Sequence, residues 1–342
     1  MFAVYADSLD ADDPLTGLAL GERPEPVVGP GWTTVAVRAA ALNHHDIWSL
    51  RGVGLTADRL PMILGCDAAG VDEDGNEVVV HGVIASDDWL GDETLDPKRS
   101  LLSERYQGTL AQRLAVPRRN LVAKPAALSF EEAACLPTAW LTAYRMLFTQ
   151  AQVAPGTTVL VQGAGGGVAT ALIALGSAAG ARVWVTSRHP DRATRAVELG
   201  ADEVFESGAR LPERVDAVME TVGAATWQHS IRSLRPGGTL VLSGATSGRS
   251  AETELSRVYF LQLRILGSTM GTREELVRLL RFCERTGVRP VVDRMLPLTE
   301  ARDGFAALER GEVFGKVVFI VDQDVRQEMS GPRPRATRTS RR

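Results

Sequence analysis

The feature that most constrains this chain lies between residues 157 and 187. Val159 to Gln162 is a short apolar run suited to a buried strand. It is followed by Gly163-Ala164-Gly165-Gly166-Gly167-Val168-Ala169, then by small residues to about Ala179, and Gly180 ends that run. Arg182 to Thr186 is a second apolar run. Strand, glycine-rich turn, helix and strand form the opening unit of a doubly wound parallel sheet with helices on both faces. A turn without side chains lets the backbone approach a pyrophosphate closely. The helix that follows presents unpaired N–H groups and the positive end of its dipole to the anion. Ala164 and Ala169 stand where a G-x-G-x-x-G fingerprint has its first and third glycines, so the strand–turn–helix context carries the expectation of dinucleotide binding. A glycine-rich turn with no ligand is the plainer alternative.

The alternation continues beyond this unit. Asp191 is placed to cap a helix ending at Gly200, Val215 to Met219 reads as a strand, and Thr239 to Ser243 follows the turn Arg235-Pro236-Gly237-Gly238. The first 120 residues read instead as short β segments, with a polar loop between Ile84 and Gln107. Ser129 and Glu132 form a capping box ahead of an apolar helix. After about Leu261 the rhythm stops. We assign the strand Arg264 to Gly267, a helix Glu274 to Thr286, an extended piece Val288 to Leu298, a helix Glu300 to Glu309 and a strand Lys316 to Val321 to the same body as the N-terminal part. The expected organisation is residues 1–120 with 262–321 as a β-rich domain, 121–261 as the dinucleotide-binding domain, and 322–342 as a disordered basic tail.

Composition removes several function classes. Of 342 residues only three are Cys (66, 135 and 283), with no C-x-x-C. Neither a disulfide framework nor a structural zinc cluster can be built from them, and a reducing, cytoplasmic compartment fits. The acid-bearing N-terminus does not resemble a signal peptide, and no apolar run is long enough to span a membrane. The net charge of −4 argues against a nucleic-acid partner, although five Arg crowd the last twelve residues.

Charge also bears on which dinucleotide binds. An NAD site usually carries an acid at the end of the second strand to hold the ribose 2′-hydroxyl. Here that strand ends Thr186-Ser187-Arg188. Ser187 can hydrogen-bond a 2′-phosphate, while Arg188 and Arg192 can neutralise it, which favours NADPH.

Further stretches complete a pattern. They include Ala41-Leu42-Asn43-His44-His45-Asp46, Ile63-Leu64-Gly65-Cys66-Asp67-Ala68-Ala69-Gly70 and Leu136-Pro137-Thr138-Ala139-Trp140. Others are Leu199-Gly200-Ala201-Asp202, Gly244-Ala245-Thr246-Ser247-Gly248, Gly267-Ser268-Thr269-Met270-Gly271 and Phe314-Gly315-Lys316-Val317. With the glycine-rich turn, these make the chain resemble the medium-chain dehydrogenase/reductase superfamily from residue 1 to about 321. It is most similar to the zinc-independent, quinone-oxidoreductase-like branch. The resemblance implies an α/β fold in which a Rossmann sheet is inserted in a GroES-like β-rich catalytic domain, with substrate held between the two. It also implies cofactor contacts from Thr138, Ala164, Gly166, Gly167, Val168, Gly244, Ala245, Thr246, Ser268, Thr269, Met270 and Lys316, and a homodimer for which Arg264 to Ser268 is a candidate edge strand.

The departures from the family pattern bear on chemistry. Zinc-dependent members carry Cys, His and Cys ligands where this chain has Asn43, Cys66 and Thr138, a set too weak for a catalytic zinc. The four-Cys structural lobe would fall within residues 84–112, which hold neither Cys nor His. Zinc-free relatives often have a Tyr where this chain has Trp48. The site candidates are therefore His45 as proton donor, Asp46 as its orienting partner and Asn43 as a hydrogen-bond donor. Trp48, Cys66, Trp89 and Phe260 are candidate substrate-lining residues. For each a structural role is the bland alternative: Cys66 as a small buried apolar group, the aromatic residues as core. The leading expectation is an NADPH-dependent reductase of an activated C=C bond or a quinone, acting without metal. A zinc-free ketone reductase or alcohol dehydrogenase and a catalytically silent NADPH-binding protein are the alternatives.

Overall fold

The computed structural model describes residues 1–323. Six strands form one parallel sheet in the order 203–206, 182–187, 158–161, 215–220, 234–242, 264–267. Its first strand in sequence, Thr158–Val161, lies in the interior, paired with Arg182–Ser187 on one side and Val215–Glu220 on the other. The chain reverses direction across the sheet there, which opens a crevice at the carboxyl ends of these strands. Alternate residues feed two cores. Val159, Val161, Val183 and Val185 pack with Leu172, Leu175 and Trp140. Leu160, Trp184, Val218 and Leu240 pack with Trp227 and Ile231 on the opposite face. Burial on both faces explains why these strands read as continuous apolar runs.

The second body is mainly antiparallel, with Val292–Pro297 parallel to Lys316–Ile320 at its edge, and is built around the long strand Trp32–Ala41. That strand pairs with Asp67–Asp72 and Arg113–Pro117, and its end pairs with Lys316–Ile320 from the far end of the chain. The last strand is thus part of a β-rich domain whose two segments flank the parallel sheet in sequence. The fold is the GroES-like plus Rossmann architecture.

Several expected boundaries move. Leu121–Ala123 pairs with Glu77–Val80 and belongs to the β-rich body, so that segment runs past residue 120. Arg264–Gly267 is not part of that body. It pairs in parallel with Thr239–Leu242 as the edge of the Rossmann sheet. Its mostly exposed residues are those of an edge strand, which lacks the apolar signature of its inner neighbours. The strand Leu234–Leu242 runs through the expected turn at Arg235–Gly238 with a register irregularity. His189, not Asp191, occupies the N-cap of the helix Pro190–Glu198, and Asp191 lies in its first turn. The Ser129–Glu132 capping box forms, and the chain continues through π-helical turns at Leu136–Trp140 and Arg145–Gln150.

The 84–112 segment is organised by carboxylates. Asp96 accepts from Ser86 N and Oγ, both at 2.7 Å, and from Lys98 N at 2.7 Å. Asp92 accepts from Thr94 N at 2.9 Å and pairs at 2.5 Å with the buried Arg145, which also pairs with Glu275 at 2.8 Å. Of the expected tail, Asp322 and Gln323 are tied down, because Gln112 Nε2 donates to both carbonyls and Gln323 Nε2 donates to Val37 O. The rest of that tail lies outside the described residues. Among the described residues no helix is long and apolar enough to cross a membrane.

Candidate active site

The glycine-rich turn sits at the carboxyl end of Thr158–Val161, and Gly166 is the N-cap of the helix Gly167–Ala178. Gly163 has φ +85°. A Cβ on Gly165 would lie 3.0 Å from the Arg192 side chain, and one on Gly167 would lie 3.0 Å from Lys316 Cδ and 3.3 Å from Ala139 Cβ. A Cβ at either position would be tight, and at Gly167 it would press on the buried Lys316 stem and Ala139. Beneath the turn runs a buried hydrogen-bond chain. Gly163 N donates to Thr186 Oγ1 (3.1 Å), Thr186 Oγ1 to Gln162 Oε1 (2.8 Å), Gln162 Nε2 to Ser230 Oγ (2.9 Å) and Ser230 Oγ to Glu220 Oε2 (2.6 Å). Glu220 also accepts from Val222 N, Gly223 N and Thr226 Oγ1. Sequence reasoning did not anticipate this network. Its one local signal is a glutamine, Gln162, closing an apolar strand just before the turn.

The turn opens into a cleft of about 920 Å³ between the two bodies. Ala164, Gly166, Gly167, Val168, Ser187, Arg188, Arg192, Gly244, Ala245, Thr246, Thr269, Met270, Thr138 and Lys316 all line it, together with Asn43, His45 and Trp48. Ser268 does not: its N–H donates to Leu242 O, and its hydroxyl is buried without a partner. At the far end of the second strand, Ser187 Oγ is bonded to His189 backbone atoms, and Arg188 stands beside it. Arg192 lies across Gly165 and donates to Gly311 O. Glu104 is the one carboxylate among the described residues lining the cleft.

The cleft floor departs from expectation in three respects. Asp46 does not orient His45. It is fully buried, and its two oxygens accept from Asn43 N (2.9 Å) and Gly65 N (2.8 Å), which fixes the start of the helix His44–Leu50. Burial pushes its carboxyl above the ordinary range against the pull of His45 and of those N–H groups. The acid facing His45 is Glu104, with Oε1 3.9 Å from Nε2, and that nitrogen is buried without a hydrogen-bond partner. Second, Lys316 lines the cleft with its stem while its ammonium turns inward. Nζ donates to Asn43 Oδ1 (2.5 Å) and Leu42 O (2.7 Å) and pairs with buried Asp67 at 3.2 Å. Its expected contact with a phosphate or ribose therefore does not match this arrangement. Asn43 Nδ2 in turn donates to Asp67 Oδ2 (2.8 Å) and Ala41 O (3.3 Å), so the amide is committed to the floor. Third, Cys66 is buried outside the cleft lining, with Sγ 3.3 Å from Thr138 Oγ1. Burial, with Asp67 and Asp46 nearby, pushes its thiol well above the ordinary range.

Two other expected wall residues lie elsewhere. Trp89 lines a separate cavity with His81 and Arg119, and its Nε1 donates to Asp92 O. Phe260 is 73% exposed and packs on Tyr259. Neither position could be settled by residue type, because an aromatic ring suits a cleft wall, a core or a surface.

These residues do not fit a catalytic zinc. The thiol is held protonated, both ends of Asn43 are spent, Thr138 Oγ1 shares a contact with Cys66, and a fixed ammonium stands beside them. Zinc needs deprotonated or imidazole donors in a set of three or four. Among the described residues no group of three or more His, Cys, Asp or Glu is placed to hold a metal.

The chain matches two family descriptions, "Alcohol dehydrogenase GroES-like domain" over residues 29–126 and "Zinc-binding dehydrogenase" over residues 167–285. It is 28% identical to an alcohol dehydrogenase of Geobacillus stearothermophilus, covering 89% of this chain and 96% of that one. It is 27% identical to an acryloyl-coenzyme A reductase of Sulfurisphaera tokodaii, covering 89% and 97%. A solved structure described as an NAD-dependent alcohol dehydrogenase superposes with a TM-score of 0.86 at 35% identity, over 94% of this chain and all of that one.

Proposed function

The chain belongs to the medium-chain dehydrogenase/reductase superfamily, and from that premise we propose that it is an NADPH-dependent oxidoreductase that reduces either an activated C=C bond, in an enone or enal, or a quinone, without a metal. The observation that carries this reading is the cleft floor. Asn43, Cys66 and Thr138 occupy the ligand positions, yet they are committed to one another and to Lys316. A carbonyl in this cleft would meet no Lewis acid built from them, whereas an enolate oxygen developing during conjugate reduction needs only hydrogen bonds and a proton.

The glycine turn and the helix N-terminus at Gly166 suit a pyrophosphate, and Ser187 with Arg188 suits a 2′-phosphate better than a bare ribose hydroxyl. Reduced nicotinamide supplies a hydride when bound. His45, whose ring lines the cleft, is the proton donor to the substrate oxygen in this reading, with Glu104 Oε1 3.9 Å from its buried Nε2. Trp48 forms the apolar wall one helical turn beyond. The three unpaired cysteines fit a reducing, cytoplasmic compartment. The outer edge of Arg264–Gly267, beside exposed Leu255, Tyr259 and Phe260, suits pairing with a second copy. Light scattering reads that association directly, and a monomer would refute it.

The deciding experiment is product analysis on one α,β-unsaturated ketone with NADPH. Saturated ketone is the expected product. Allylic alcohol would reject the proposal in favour of a zinc-free ketone reductase, the reading that resemblance to alcohol dehydrogenases favours. Binding of NADPH without turnover across enones, quinones and aldehydes would mark a silent protein.

A further inference from the structure

Building on the reading of this cleft as a reductase site, its charges point to the kind of substrate it takes. The protein carries a net charge of −4, yet its cleft is lined by Arg188, Arg192, Arg249 and Lys316 against Glu104. Three of these cations have evident duties. Lys316 is spent on Asp67, Asn43 and Leu42. Arg192 is held across the glycine turn to Gly311. Arg188 stands beside Ser187 at the adenosine end.

Arg249 has no such duty. It is exposed at the cleft, on the loop after Gly244-Ala245-Thr246, and among the described residues no acid lies within ion-pair distance of it. Its guanidinium carbon lies 5.7 Å from the centroid of Trp48. Trp48 is three residues beyond His45 on the helix His44–Leu50, hence on the same face. The other guanidinium against that ring, Arg51 at 5.4 Å, is already paired with Glu309 at 3.3 Å. The carboxylates nearest in sequence, Glu252 and Glu254, make no ion pair with Arg249, and Glu254 accepts from Ser256 Oγ. Glu104 is occupied with Leu101 N and faces His45.

We infer that Arg249, placed over Trp48 at the cleft, selects substrates that carry an anionic group remote from the bond being reduced. A planar guanidinium with its charge unmatched, held 5.7 Å from the centre of an indole ring, offers a fork to a carboxylate or a phosphate. Trp48 then covers the apolar segment between that group and the carbon near His45.

The test uses the full chain with NADPH and two matched pairs of substrates. One pair is an enone bearing a carboxylate on a short alkyl chain and its methyl ester. The other is an enoyl thioester of phosphopantetheine and that of pantetheine, which separates a phosphate from a carboxylate as the group recognised. In at least one pair the anionic member should have a kcat/KM about tenfold higher. Arg249→Gln should bring that ratio to near one, and Arg249→Lys should restore part of it. Equal ratios in wild type and Arg249→Gln would overturn the inference, as would an Arg249→Gln defect confined to NADPH affinity. A measurement without turnover keeps this separate from the reaction proposed above. Binding of the saturated acid and its methyl ester, read by tryptophan fluorescence with NADP⁺ present, should show the same Arg249-dependent preference for the acid or for its phosphopantetheine counterpart. If both neutral partners bind equally well, the inference fails even where the reductase reading survives; if no enone is reduced yet the preference holds, only the reductase reading fails.

Discussion

Replacing Lys316 with Met keeps the length of the side chain and removes its charge. The stem would still pass Gly167 and Ala139 at the helix N-terminus, so packing at the glycine turn is nearly conserved. What is lost is the ammonium that joins Asp67, Asn43 Oδ1 and Leu42 O. Lys316 is 2% exposed and Asp67 fully buried. Asp67 Oδ1 already lacks a partner, and Oδ2 would keep only Asn43 Nδ2. Breaking one side of a buried pair costs about 3–5 kcal/mol, because the remaining charge stays buried and uncompensated. Against a total of roughly 5–15 kcal/mol for a folded protein, that is a large fraction. Urea unfolding at neutral pH, followed by far-UV circular dichroism, should therefore show a much lower midpoint with an unchanged slope. Adding Asp67→Asn removes the stranded charge, so the double variant should recover most of the loss. If Lys316→Met alone costs less than about 1 kcal/mol, or Asp67→Asn brings no recovery, the floor is not held by this pair and its claim to close off a metal site goes with it.

Two further outcomes follow from the geometry. Arg188→Ala should weaken NADPH binding by about tenfold and leave NADH binding nearly unchanged, measured by nicotinamide fluorescence titration; equal losses for both would reject the 2′-phosphate assignment. Burial raises the Asp92 carboxyl, but hydrogen bonds from Thr94 and the Arg145 guanidinium outweigh it and hold the group below its ordinary value of 3.8. The stability this contributes is present above that value and is lost as pH falls through the lowered one. The 84–112 segment should thus loosen as pH falls below 3.8, seen as a change in Trp89 emission, and Asp92→Asn should reduce the dependence while Asp96, also held low by its hydrogen bonds, keeps a share of it.

The Rossmann half was legible because its signals are local. Two buried parallel strands, a glycine-rich turn and a helix start all fall within thirty residues of one another. The catalytic floor was legible only as a set of positions. Asn43, Cys66 and Thr138 could be placed side by side from family resemblance, but Lys316 Nζ reaches Asn43 Oδ1 across 273 residues of sequence, and nothing local to Phe314-Gly315-Lys316 signals that its head turns inward. The same holds for Asp46. Its spacing from Asn43 within a capping box is visible in sequence, yet the bond from Gly65 N that takes its second oxygen is not. Edge strands failed for the opposite reason: Arg264–Gly267 has a local pattern, but exposure erases the difference between the two sheets it could join.

The floor also explains how this chain can keep the family's cleft with a different set of chemical options. Two buried carboxylates, Asp46 and Asp67, lie beneath it. Their charge is balanced by backbone N–H groups for Asp46 and by an ammonium for Asp67. An ammonium whose donors all point into the floor cannot bind a substrate oxygen. The charge of Lys316 is therefore committed to the floor, and the reading proposed above leaves His45 as the proton donor for a developing oxyanion. In the proposed reaction the choice between C=C and C=O reduction turns on the floor: hydride addition to an isolated carbonyl concentrates charge on an oxygen that needs a strong electrophile at once, whereas conjugate addition spreads the charge over an enolate that one hydrogen bond can carry until it is protonated.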